Sequence, residues 1–124
     1  MYCRHKENER NNMLTIDNLR ELGADTEGGL ARCINNEEFY LKMVNLSLQD
    51  ANFEKLRNAV DGGDLEGAFE AAHALKGVLG NVGLTQLHET IAEMTEELRA
   101  RKEIDYSGYI EAIFSELEKL RALV

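Results

Sequence analysis

Residues 61–83 read DGGDLEGAFEAAHALKGVLGNVG, and this stretch decides the fold. Gly62 and Gly63 end one helical pattern, because glycine reaches left-handed backbone at little cost, and Asp64 offers a capping oxygen to the next. Behind that cap Leu65, Ala68, Ala72, Leu75, Leu79 and Val82 recur at spacings of three and four, the signature of a helix with one buried face. The spacing predicts a helix from Leu65 to about Val82, and the tight turn before it makes the preceding helix an antiparallel neighbour. The same helix carries His73 together with Gly77 and Gly80, and Gly83 follows at its end. An interior glycine costs a helix roughly 1 kcal/mol relative to alanine, so this cluster needs a reason beyond folding.

After Gly83 a second stripe runs through Leu84, Leu87, Ile91, Met94 and Leu98; a third, capped by Asp105, runs through Tyr106, Ile110, Ile113, Leu117, Leu120 and Val124. On the N-terminal side an Asn36 cap opens a segment with Phe39, Met43, Leu46, Phe53, Leu56 and Val60 on its apolar face, and QDAN (residues 49–52) predicts a kink or brief break within it. Two shorter amphipathic pieces come first: TIDNLRELG (residues 15–23), and DTEGGLARCI (residues 25–34), which Asp25 caps. The expected fold is all-α: an antiparallel four-helix bundle with one or two short extra N-terminal helices, forming a single domain over residues 13–124 behind a flexible leader of residues 1–12.

Composition agrees with that class and narrows the function. Among 124 residues there is no proline and no tryptophan. The net charge of −9 would repel a phosphodiester backbone, which argues against nucleic acid as a partner. No apolar run approaches the ~20 residues that span a bilayer, and MYCRHKENERNN is too polar for a signal peptide, so a cytoplasmic protein without a membrane partner is expected. Cys3 and Cys33 belong to no Cys-x-x-Cys unit and read as free thiols; the Cys3-x-His5 pair is too sparse for a metal site. Monomer is the default expectation. The charge runs around residues 96–103 and 115–121 read as solvated helix faces.

His73 lies about 100° round the helix from the core stripe and is expected on the exposed flank of the bundle. Phe69 and Gly77 neighbour it at four residues, Glu70 and Lys76 at three. An exposed imidazole titrates near ~6.5 and is mostly neutral at neutral pH, which makes it a nucleophile needing no activating base. Lys76, one turn on, is a cation suited to pair with a phosphoryl group arriving on that ring. No serine or cysteine triad accompanies His73, and the chain has no glycine-rich nucleotide loop.

At these residues AHALKGVLGNVG (residues 72–83) resembles the signature of histidine-containing phosphotransfer domains, in which a phosphoaccepting histidine is followed by x-Leu-Lys-Gly and, six residues after that glycine, by another. LTQLHETIAEM (residues 84–94) resembles that family's next helix, NEEFYLKMV and FEKLRNAVDGGDLEGAFEAAH the segment leading in, and the likeness extends over roughly residues 14 to 123. The resemblance implies a phosphocarrier of a two-component relay: His73 accepts the phosphoryl group, Lys76 stabilises it, and Gly77 clears the approach. Implied partners are response-regulator receiver domains and a hybrid histidine kinase. No cofactor of its own is implied, with magnesium expected on the receiver, and the chain carries phosphate without catalysing nucleotide chemistry. Docking is expected on the flank around Glu70, Gly77, Gly80 and Val78. Where many members place Glu or Gln beside the imidazole this chain has Thr95, a candidate hydrogen-bond partner for His73. Two rivals stand beside this reading: a helical adaptor that binds a receiver or kinase without accepting phosphate, and metal-dependent hydrolysis through His73 and His88. The intact His-x-Leu-Lys-Gly unit weighs against the first, and the lack of an i, i+4 His/Glu pair against the second.

Overall fold

The computed structural model describes residues 13–124; the expected leader, with Cys3 and His5, lies outside them. The described residues form helices and turns without a strand: α1 (Ile16–Glu21), α2 (Thr26–Arg32), α3 (Glu37–Leu48), α4 (Asn52–Asp61), α5 (Leu65–Asn81), α6 (Thr85–Arg99) and α7 (Ser107–Arg121). Several starts have a local cause. Asp25, Asn36 and Asp64 accept the backbone N–H of Gly28, Phe39 and Gly67 at 3.0, 3.0 and 2.9 Å, satisfying donors that a helix leaves orphaned. Asp105 accepts from Ser107 N at 2.9 Å at the head of α7. Gly63 and Gly83 take left-handed backbone, φ +71° and +74°, in the turns that reverse the chain on either side of α5.

Helix α5 is the centre of the bundle, packing chiefly on α4 and α6, while α6 packs on α7 and α7 returns to α3. The segment expected from Asn36 to Val60 with a kink or brief break is two helices, and the break falls at residues 49–51, within the QDAN stretch. Asp50 restarts the chain: its side chain accepts from Asn52 N at 2.8 Å, and Arg121 of α7 donates Nε to Leu48 O at 3.0 Å, closing the end of α3. The Leu, Ile and Met stripe of α6 is buried throughout, as are Ile113, Leu117 and Leu120 of α7; Val124, expected on that stripe, is exposed.

One stripe differs from expectation. On α3 the buried apolar residues are Tyr40, Val44 and Leu48, while Phe39 and Leu46 are 46% and 54% exposed and Met43 is half-buried. Apolar residues occupy so many positions between 39 and 48 that two faces satisfy the helical period equally well. A polar contact selects between them. Tyr40 is fully buried and donates its hydroxyl to Val82 O at 2.8 Å, an arrangement that fixes which face of α3 turns inward. Burial pushes this phenol up to about 12, with the charge of Asp25 adding to the effect.

Tyr40 is part of a larger closure at the C-terminal end of α5. The carbonyls of Gly80, Asn81, Val82 and Gly83 accept in turn from Arg32 Nη2 (3.1 Å), Arg32 Nε (2.6 Å), Tyr40 OH (2.8 Å) and Asp25 N (2.8 Å). The acceptors that α5 leaves open are thus met by the segment from Asp25 to Tyr40, and the Arg32 guanidinium also suits the negative end of the helix. Approach is close: a Cβ on Gly83 would lie 2.3 Å from Asp25 O, and one on Gly29 would meet the Tyr40 ring.

Candidate functional site

His73 stands in the middle of α5 on the exposed strip between α4 and α6. At position 77 a Cβ would find nothing within 4 Å, so Gly77 serves no internal contact and leaves helix backbone open beside the imidazole. Lys76 is half-buried one turn from His73 and, among the described residues, forms no ion pair or hydrogen bond. Its charge is therefore not committed to a carboxylate. Glu70 is exposed on the opposite side of His73, where it lines a groove between α4 and α5 together with Lys55, Asn58 and Asp64.

Three expected site residues are placed differently. Thr95 is completely buried and donates its hydroxyl to Ile91 O at 2.6 Å, so it does not hydrogen-bond His73; its short side chain satisfies itself on its own helix. Gly80 is covered: a Cβ there would come within 3.0 Å of His88 Cδ2, and its carbonyl is held by Arg32. The glycine allows α6 to lay the His88 ring on α5, which makes it a packing residue and His88 half-buried instead of solvent-facing. Val78 is half-buried and, five residues on, points about 140° away from His73. His88 sits at the level of Gly80, two turns and ~10 Å along α5 from His73, so the two imidazoles do not converge. Among the described residues no group of three His, Cys, Asp or Glu side chains gathers as metal ligands.

Two side chains join the site that sequence reasoning did not place there, both through Phe69, which helical spacing set beside His73. Phe69 stacks on His73 with ring centroids 5.7 Å apart and planes 18° from parallel, offset-stack geometry worth about 0.5–1.5 kcal/mol. Over the Phe69 ring lie the guanidinium carbons of Arg99 at 5.1 Å and Arg101 at 4.9 Å from its centroid, each contact worth about 0.5–1 kcal/mol at an exposed site. The two arginines looked like part of a solvated charge run. The signal that finds them is antiparallel register: Gly80 against His88 on adjacent helices brings residue 69 opposite residue 99.

A helical bundle in which an exposed helix histidine adjoins bare backbone and a lysine without an ion pair among the described residues has the make-up of a phosphotransfer module. Comparison with protein-family models matches residues 46–123 to the Hpt domain, and the chain belongs to that family. Comparisons with curated proteins and with solved structures found no match. Domains of this family carry phosphoryl groups on histidine in phosphorelays and interact there with receiver domains and kinases. Among the described residues no helix is long and apolar enough to cross a membrane.

Proposed function

We propose that His73 is the phosphoacceptor, taking a phosphoryl group from the aspartyl phosphate of a receiver domain and passing it to a receiver. The observation that carries this reading is the pairing of an exposed His73 with Gly77, whose open Cβ direction weakens the helix for no internal gain. In the transfer, the lone pair of the neutral imidazole attacks phosphorus. The N–P bond forms as the P–O bond to the aspartate breaks, and that electron pair leaves on the carboxylate. The ring keeps the proton on its other nitrogen through the step, and solvent then accepts it from the imidazolium. The return transfer runs the same events backwards.

Positioning and charge neutralisation supply most of the catalysis of phosphoryl transfer. The chain contributes the nucleophile, the charge of Lys76 and the bare backbone at Gly77; magnesium and further cations belong to the receiver. The test is to incubate the protein with a phosphorylated receiver and follow the label, comparing wild type with His73→Gln. Acid-labile label on the wild type and none on the variant is the expected outcome. An unlabelled wild type would remove the carrier reading in favour of a binding module, and label retained by the variant would place the acceptor elsewhere.

A further inference from the structure

The His73 imidazole needs a defined plane if its nitrogen is to meet phosphorus in line, yet among the described residues no hydrogen bond reaches it. What it does contact is Phe69, four residues earlier, where the tilt of helical side chains toward the N-terminus brings one ring over the other. We propose that Phe69 is a positioning residue that sets the plane of the His73 imidazole by stacking, and that Arg99 and Arg101 clamp Phe69 in place. This rests on the phosphoacceptor role of His73.

The clamp is built at some cost. Arg101 adopts φ +53°, a left-handed conformation that glycine takes without strain and other residues do not. Position 101 is the residue past the C-terminal end of α6, where glycine commonly stands. An arginine there supplies a side chain that glycine lacks. Its Nη1 donates to Leu98 O at 2.8 Å and Arg99 O at 3.2 Å, its Nη2 pairs with Glu66 at 2.5 Å, and its guanidinium covers Phe69. The strained residue is thus tied both to the end of α6 and to the first turn of α5, with the Phe69 ring beneath. Arg99, held by Glu96 at 3.3 Å, completes the cover. Phe69 itself is half-buried and packs against the core, so the platform is anchored from below as well.

The test uses the full chain and three variants: Phe69→Leu, which keeps apolar bulk without a stacking face, Phe69→Tyr, which restores the ring, and Arg101→Gly, which suits the left-handed backbone but removes the guanidinium. Two readouts are taken at equal thermal stability. The first is the proton NMR shift of the His73 ring, which an adjacent aromatic face moves upfield. Phe69→Leu is expected to abolish that displacement, Phe69→Tyr to retain it, and Arg101→Gly to reduce it. The second is single-turnover transfer from a phosphorylated receiver. Phe69→Leu is expected to lower the maximal rate about three- to tenfold with half-saturation unchanged, and Phe69→Tyr to recover it. A His73 ring shift identical in wild type and Phe69→Leu would overturn the platform, as would an unchanged transfer rate in that variant. If the shifts behave as expected and wild type never accepts phosphate, the phosphoacceptor reading fails while the stacking stands.

Discussion

Gly77 is where stability and activity separate most cleanly. A methyl group added there meets open space, so Gly77→Ala is expected to raise stability by about 0.5–1 kcal/mol, read as a higher melting temperature. Gly77→Leu is expected to fold as well as wild type yet slow transfer by tenfold or more, because its side chain occupies the approach to His73; transfer at the wild-type rate would mean that the partner docks elsewhere. At Gly80 the same alanine substitution must displace the His88 ring, so its gain in stability is expected to be smaller than at Gly77. Lys76→Gln removes no ion pair among the described residues, and should slow transfer several-fold with little change in melting temperature. His73, Lys76 and Gly77 were legible in the sequence because one helix carries all three, and helical spacing alone brings them together. Gly80, Arg99 and Arg101 were not, because their partners depend on how two helices are set side by side, and Thr95 was not, because its hydroxyl bonds Ile91 O on its own helix.

Helices were legible where polar residues punctuate apolar periods. Asp25, Asn36 and Asp64 cap where the sequence places them, and Asp64→Ala is expected to lower stability by about 1 kcal/mol. Urea unfolding checks this: the midpoint should fall with the slope unchanged, since the same surface is exposed on unfolding. The break between α3 and α4 was visible in QDAN, but the inward face of α3 was not. Its apolar residues are too dense for period alone to choose, and the choice rests on a hydroxyl finding a carbonyl just past the end of α5, forty-two residues away.

That same hydroxyl gives the whole molecule an alkaline limit. The Tyr40 phenol titrates at about 12 in the fold against ~10 in an unfolded chain. Below pH ~10 both states hold the proton and its contribution is fully present; as pH rises toward ~12 the unfolded chain deprotonates first, and stability falls by about 2–3 kcal/mol. Tyr40→Phe should be less stable than wild type near neutrality by about 1 kcal/mol and should lose less between pH 9 and 12, measured by denaturant titration across that range. The row of carbonyls from Gly80 to Gly83, met one after another by Arg32, Tyr40 and Asp25, bears on how the protein can be dissected. The family-matched segment begins at residue 46, after every one of those donors. Excised at that boundary, it would keep His73 and its neighbours but leave the foot of its central helix frayed, so a portable version of this domain for grafting into other relays has to begin no later than Asp25.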